Sequence, residues 1–447
     1  VDTFVLDDVL ARLRDALLRD DIAGAVDIVE SLQPADQADL VEVLSELDQI
    51  VLISQLAPAD SADVLEEMED HDAAALAELL PVSDLASILD EMEADEAADV
   101  LGDLTPERAV EALREMEEPE GIISLLQYPD DTAGGLMTPA VITLRRHWRA
   151  QYALEEIRRL GPDADSAYYL FVTDDHGLLL GVVGLRDLVV ALPETTMEAM
   201  MDPNVVSVPV TADQEVCART LSRYGFLALP VVDEKGRLVG VITADDLIEV
   251  AEDEATEDMY RMVGITGEER LSGPLYASVI KRLPWLAINM LTLFVAISVV
   301  DAFEWVIAGM VALATFLPLV SGEGGNAGSQ TTTVIVRAIA LGEVDAHGGW
   351  KVLLKELAAS LINGVLIGLG TGLVIYWWKG EWVIAMAVGL AMVLNFVVAA
   401  MAGVLVPFGL RLVKVDPALA SAAFVTGVTD TLGFLFFLGI ATLLMGL

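Results

Sequence analysis

One carboxylate stands where a carboxylate is costly. Asp430 lies in Phe424-Val-Thr-Gly-Val-Thr-Asp-Thr-Leu-Gly-Phe434, inside an apolar stretch with no basic residue within two turns. A charged side chain at mid-helix in a bilayer costs ~2.5–3.5 kcal/mol on insertion scales, so Asp430 is expected to face a wet cavity or a cation. Earlier in the same apolar third, Pro318–Gln330 holds four glycines, with Glu323, Asn326, Ser329 and Gln330 supplying oxygens. Its glycines and Pro318 predict a broken helix. Such backbone either lines a wet cavity at membrane depth or forms an exposed loop after a shorter span. Asn363 and Asn395, in two other apolar stretches, read better as hydrogen-bond partners between helices than as cavity lining.

The remaining chemistry is carboxylate. The chain has 70 Asp and Glu against 25 Lys and Arg. Residues 1–131 carry 37 acidic against 5 basic groups, residues 132–275 carry 24 against 12, and residues 276–447 carry 9 against 8. A polyanion of this kind repels itself unless cations join it, and hard oxygen donors suit divalent ions. The balance excludes nucleic acid as a partner, whose phosphates would be repelled. The lone Cys217 excludes an intrachain disulfide framework and is expected to be a small buried apolar residue. His71, His147, His176 and His347 are too scattered for a histidine metal motif. The first residues lack a basic and apolar leader, so no signal peptide is expected and the acidic body is placed in the cytoplasm.

Three kinds of element must position these groups. In residues 1–131, Pro34, Pro58, Pro81 and Pro106 recur at steps of 24, 23 and 25, and Met68, Met92 and Met116 at steps of 24. Proline at helix starts and apolar residues three or four apart predict one helix pair per repeat, stacked as a solenoid. Residues 132–250 read twice as Met-x-Pro, strand, acidic Gly turn, strand and helix, opening at Met137 and Met201. The doubled pattern resembles a tandem CBS pair, which implies adenosine-nucleotide binding between the copies. Thr243 and Asp246 are spaced to meet ribose hydroxyls, with Asp187 the equivalent of Asp246 in the first copy. Arg186 could meet phosphate, while Tyr169 and Phe226 could hold a base. The first copy has Gly184 where Ser or Thr is expected, and a pair of purely structural modules is the alternative. Residues 251–275 read as an acidic connecting helix.

Residues 276–447 contain five stretches long enough to cross ~30 Å of hydrocarbon. They run roughly Pro284–Phe303, Trp305–Val334, Leu357–Trp378, Trp382–Leu412 and Leu419–Leu444. Lys281, Arg282, Arg337, Lys351, Lys355, Arg411 and Lys414 fall on one side and only Lys379 on the other, which places the N-terminus in the cytoplasm.

This order of parts resembles the MgtE family of magnesium channels. The most specific marks are Gly324-Gly-Asn-Ala-Gly-Ser-Gln330, Asp416-Pro-Ala-Leu419, Thr429-Asp-Thr-Leu-Gly433 and Glu254-Ala-Thr-Glu-Asp258. The resemblance implies a multidomain membrane protein: an α-helical superhelical N-domain, an α/β tandem CBS pair and a five-helix α transmembrane domain. It also implies a homodimer in a prokaryotic plasma membrane, with the pore on the twofold axis and Asp430, Asn326 and Gly433 at the path. The ion would be Mg2+, and ATP would modulate it. Regulatory Mg2+ would bind at positions matching Asp90, Asp213, Glu215, Asp246, Glu249, Glu254, Glu257, Asp258 and Asp416, bridging the acidic body, the CBS pair and the connecting "plug" helix. Competing readings are a CBS-regulated membrane metalloenzyme, a CBS-regulated anion channel and a scaffold. No histidine or cysteine cluster supports the first, Asp430 opposes anions, and a scaffold does not need an intramembrane carboxylate.

Overall fold

The computed structural model describes residues 3–117, 119–139, 141–160, 169–265, 275–344, 349–419 and 422–446. Tyr168, His347 and residues 266–274 of the connecting stretch lie outside the described residues. The chain divides into two compact units, Val1–Ala251 and Glu252–Leu447.

Among the described residues the first unit begins with ten helices. They are α1 (Thr3–Leu18), α2 (Ile22–Glu30), α3 (Pro34–Glu42), α4 (Glu46–Ile53), α5 (Pro58–Glu66), α6 (Asp70–Leu79), α7 (Val82–Leu89), α8 (Ala94–Asp103), α9 (Pro106–Glu115) and α10 (Glu120–Leu125). Proline occupies the first turn of α3, α5 and α9, where its missing N–H costs no hydrogen bond. Alternate helices pack in two files, α3 on α5 on α7 on α9 and α2 on α4 on α6 on α8 on α10. Met68, Met92 and Met116 are all buried between the files with Leu65, Leu89 and Leu101. The helical repeat read from the spacing is therefore a superhelix with an apolar seam and acidic outer faces.

The files are tied by a recurring bracket. Glu66 accepts from the backbone N–H of Glu93 (2.6 Å) and Glu78 from the hydroxyl of Thr105 (2.9 Å). Asp90 accepts from the backbone N–H of Glu117 (2.9 and 3.1 Å). Each pair is 27 residues apart. Glu93 and Thr105 are the N-cap residues of α8 and α9, while Glu117 lies just past the end of α9.

The rest of this unit is two like modules. The first holds β1 (Thr143–Arg145), α11 (Ala150–Leu160), β2 (Tyr169–Thr173), β3 (Leu179–Gly184), α12 (Leu185–Val190) and α13 (Met197–Met200). The second holds β4 (Val208–Pro209), α14 (Gln214–Tyr224), β5 (Ala228–Val232), β6 (Leu238–Thr243) and the start of α15 (Ala244–Met262). Each sheet pairs its first strand parallel and its third antiparallel to the middle strand. The acidic Gly turns are alike: Asp174 accepts from the N–H groups of His176 and Leu178, and Asp233 from those of Lys235 and Arg237, all at 2.8–2.9 Å. The Met-x-Pro openings cross over. Met137 of the first module lies against Gly240 of the second, and Met201 of the second against Gly181 of the first. A Cβ at either glycine would meet methionine within 2.6–2.7 Å. Cys217 is fully buried, and burial pushes its thiol up to about 12, as expected of an inert core residue.

The second unit is helical: α16 (Leu275–Ala302), α17 (Glu304–Gly309), a 3-10 segment Val311–Phe316, α18 (Leu317–Ala340), α19 (Gly349–Lys379), α20 (Trp382–Leu412), a 3-10 turn Pro417–Leu419 and α21 (Ala422–Met445). Helix α20 is innermost and packs on α18, α19 and α21, while α16 packs on α21. Helices α16, α19, α20 and α21 are long and apolar enough to cross a membrane.

The second expected span, Trp305–Val334, differs from the sequence expectation. The break falls at Met310 (φ −144°, ψ 82°) and the 3-10 segment, whereas the glycine-rich stretch is continuous helix within α18. Pro318 sits in the first turn, where it is tolerated. The glycines are sites of close packing. A Cβ at Gly324 would lie 2.0 Å from Asn395 Nδ2, and one at Gly328 would lie 2.4 Å from Val425. Tight helix contacts of this kind offset the poor helix propensity of glycine, and in hydrocarbon only a helix satisfies the backbone.

Candidate cation path and regulatory carboxylates

Asp430 sits on α21 and is only 4% exposed. Its Oδ1 accepts a hydrogen bond from the Ser321 hydroxyl of α18 (2.6 Å). Asn395 of α20 is fully buried and donates from Nδ2 to the Val320 carbonyl (3.0 Å), while its Oδ1 has no hydrogen-bond partner among the described residues. Gly433 faces the same amide: a Cβ there would lie 2.7 Å from Asn395 Nδ2. Asn395 is thus the interhelical hydrogen bonder read from the sequence, and Gly324 and Gly433 are the room it needs.

Asn326 lies on another face of α18. Gly322, Asn326, Gln330 and Thr333 are exposed and Glu323 and Ser329 half-buried. In a straight helix Glu323, Asn326 and Gln330 (i, i+3, i+7) share one face. Those three positions are polar, with Ala327 and the exposed Val334 as apolar neighbours, on a helix flanked by membrane-length apolar helices. Beside it, between α18, α19 and α20, a cavity of about 220 Å3 is lined by Gln330, Thr331, Glu356, Ser360, Asn363 and Phe396, among others.

The regulatory candidates fall into separate places. Asp246, at the start of α15, is turned onto its own helix, accepting from the Thr243 N–H (3.0 Å) and hydroxyl (2.5 Å). Burial raises its carboxyl above the ordinary range, Thr243 opposes the shift, and Asp245 adds to it. Around it gather carboxylates that sequence reasoning missed. Asp95 is 5% exposed, one oxygen accepting from Thr138 and Oδ1 lacking a hydrogen-bond partner among the described residues. Burial, then the nearby carboxylates, pushes Glu96 to about 9, Asp99 to about 8 and Glu93 at the exposed rim to about 7. Asp95 reaches about 6, its hydrogen bond from Thr138 opposing burial. Only hard oxygen donors are present, and they fit a divalent cation by type. Asp95 stands in Ala94-Asp-Glu-Ala97, an Ala-Asp-x-Ala step that also occurs at 35–38 and 59–62, but burial against Thr138 is not legible in it.

Asp90 is the Glu117 bracket described above. Asp213 caps α14, accepting from the Glu215 N–H (3.0 Å), and Glu215 pairs with Arg219 (2.8 Å). Glu249, Glu254, Glu257 and Asp258 lie along α15, with 254, 257 and 258 spaced to share one face. Glu257 pairs with Arg261, which also pairs with Asp416 in the turn before α21. Burial raises Glu257, Arg261 lowers it, and Glu254 and Asp416 raise it further. Among the described residues, no three His, Cys, Asp or Glu side chains are gathered to hold a metal ion.

For the nucleotide reading, Tyr169 and Phe226 do meet, lining a cavity of about 80 Å3 with Phe171, Asp202, Asn204 and Pro230. Phe226 stacks on Tyr224 at 5.3 Å. Arg186, Asp187, Thr243 and Asp246 are not among its lining residues. Asp202 was missed although it follows Met201 directly.

Comparison with known proteins matches these parts in order. Residues 32–131 match the MgtE intracellular N domain, 133–194 and 197–253 match CBS domains, and 317–440 match the MgtE divalent cation transporter domain. The chain is 40% identical over 326 residues to the magnesium transporter MgtE of Thermus thermophilus, covering 72% of each chain. It is 34% identical over 330 residues to that of Enterococcus faecalis, covering 74% of this chain and 72% of the relative. A crystal structure of the cytosolic domain of the Mg2+ channel MgtE in complex with ATP is 36% identical, with a TM-score of 0.51. It covers 54% of this chain and 99% of that one. The soluble part of a magnesium transporter is 31% identical with a TM-score of 0.50, covering 56% and 99%. These are transporters, not enzymes, which removes the metalloenzyme reading. An acidic superhelix, a CBS pair, a helical membrane unit and this identity over nearly three-quarters of the sequence together place the chain in the MgtE family of magnesium transporters.

Proposed function

We propose that the chain forms a Mg2+-selective path across a prokaryotic plasma membrane, with its N-terminus cytoplasmic. The path is shut when Mg2+ binds the cytosolic carboxylates. The observation that carries the reading is the pairing of a membrane-depth carboxylate, Asp430, with Ser321 of a helix that exposes the polar Asn326, Gln330 and Thr333. A polar face in hydrocarbon needs water or a partner, and a homodimer with the two α18 faces across a twofold axis supplies both. Magnesium dehydrates reluctantly, so carboxylate and amide oxygens hold it through its waters and release it readily. Asn326 and Asp430 then act on the ion, and Gly433 acts through Asn395. Residues 1–131, 132–250, 251–275 and 276–447 serve as sensor, nucleotide module, plug and pore.

Magnitudes favour several regulatory ions. Moving a gate from 1:99 to 99:1 takes about 5.5 kcal/mol of differential binding. One ion at ten times its dissociation constant for the closed state supplies about 1.4 kcal/mol. About four ions are therefore needed, which suits the spread of Asp90, Asp213, Glu215, Asp246, Glu249, Glu254, Glu257, Asp258 and Asp416 over separate places. Asp90 is the weakest of these, being engaged by Glu117.

Two experiments test the reading. Wild-type proteoliposomes should take up Mg2+ down its electrochemical gradient, and impermeability would favour a scaffold. ATP should bind the full chain in titration calorimetry, with Phe226→Ala weakening it about tenfold by loss of base stacking, which is worth ~1–3 kcal/mol. Equal binding by the variant would place the nucleotide elsewhere.

A further inference from the structure

The turn before α21 is fastened to α15 by one guanidinium. Arg261 stands one turn beyond Glu257 on α15 and pairs with it through Nη2. Through Nη1 it pairs with Asp416, 155 residues later in the sequence. All three side chains are about 30% exposed, so the cluster is partly shielded from water. Asp416 is held from its other side as well, its Oδ1 accepting from the Ala418 N–H (2.8 Å). The order Glu then Arg at i, i+4 favours the first pair, and the planar fork of arginine suits two carboxylates at once. Beyond the turn lies α21, which carries Asp430.

We infer that Arg261 is a resident cation that competes with Mg2+ for Glu257 and Asp416, and so sets how much magnesium this part of the sensor requires. The inference rests on the reading that these two carboxylates take part in regulation. The guanidinium neutralises and joins the same two groups that a divalent ion would join. An ion entering between them must push the guanidinium aside, whether it leaves both carboxylates or swings out beside the ion. Either way the apparent affinity of the pair for Mg2+ is lowered. At about 6 Å the repulsion between a unit charge and a divalent ion, even at the dielectric of water, corresponds to roughly a tenfold change in the affinity of this site.

The test uses the full chain in proteoliposomes, with uptake measured against Mg2+ on the cytosolic side. Arg261→Gln should lower the half-inhibiting Mg2+ concentration roughly twofold to threefold, a tenfold gain at this site being spread over about four ions that act together, and Arg261→Lys, which keeps the charge, should leave it at the wild-type value. An unchanged or raised value in Arg261→Gln would overturn the inference. Glu257→Gln with Asp416→Asn separates the two levels. Weakened inhibition there supports the underlying reading whatever Arg261→Gln does, and unchanged inhibition removes that reading and the inference with it. A measurement on the wild type covers the case of a variant that does not fold. Mg2+ should raise the rate at which phenylglyoxal modifies Arg261, read by mass spectrometry, because a displaced guanidinium is more accessible. A rate that is unchanged or falls with Mg2+ would contradict competition.

Discussion

Glu96 gives a sharp test of the acidic core. It is half-buried on α8, with Asp95, Asp99 and Asp70 nearest among the charges that act on it, and its carboxyl is pushed up to about 9 from an ordinary 4.5. A carboxyl raised in the folded state stabilises fully below its unfolded value and loses that stabilisation as pH rises through the folded value. The window is therefore about pH 4.5 to 9, and stability should fall with rising pH across it. At pH 7 the cost of the shift is about 3 kcal/mol, from 1.36 kcal/mol per unit over two and a half units. Part of it is shared with the neighbouring carboxylates, so Glu96→Gln should recover roughly 1–3 kcal/mol without divalent ions. For a unit of this size that is a rise of about 3 to 10 °C in melting temperature. The assay is scanning calorimetry of the full chain in detergent with EDTA, at pH 5, 7 and 8.5. The gain should drop below about 1 kcal/mol at pH 5, where the unfolded group is itself near half-protonation. It should also shrink in millimolar Mg2+, which stabilises the charged wild-type cluster instead. A variant equal to or less stable than wild type at pH 7 to 8.5 in EDTA would refute the reasoning.

Two further outcomes follow from packing. Asp90→Ala removes the acceptor for the Glu117 N–H and should destabilise the chain by about 1–3 kcal/mol with or without Mg2+; a loss seen only in Mg2+ would make Asp90 a metal ligand first and a bracket second. Gly324→Ala sets a methyl group 2.0 Å from Asn395 Nδ2 and should cost about 1–3 kcal/mol, lowering the thermal stability of the detergent-solubilised protein; a neutral substitution would mean that Asn395 yields easily.

The architecture was readable because it repeats. Prolines 23 to 25 residues apart and methionines 24 apart mark helix pairs whatever packs between them. The doubled Met-x-Pro and acidic Gly turn mark two modules of one kind. Long apolar stretches mark the membrane unit. Local rules failed where tertiary packing decides. Pro318 and the four glycines read as helix breakers, yet Asn395 and Val425 press against those glycines, and α18 continues through them. Asp90 has the residue type of a ligand, and only the 27-residue register shows it holding Glu117. Thr243 and Asp246, spaced to meet a ribose, bond each other, and Asp202, which carried no signal of its own, lines the small cavity with Tyr169 and Phe226. Arg261 carried no signal, because its second partner lies 155 residues away. Asp430 was legible, since a lone carboxylate in an apolar stretch is conspicuous by cost alone. Its partner Ser321 was not, being one hydroxyl among many.

The most direct test compares Mg2+ uptake into proteoliposomes by wild type, Asp430→Ala and Ser321→Ala, with Mg2+ on the cytosolic side varied. Uptake that falls as cytosolic-side Mg2+ rises, is lost in Asp430→Ala and is reduced in Ser321→Ala is the result predicted here. Undiminished uptake by Asp430→Ala would move the ion path away from α18 and α21 and contradict the account.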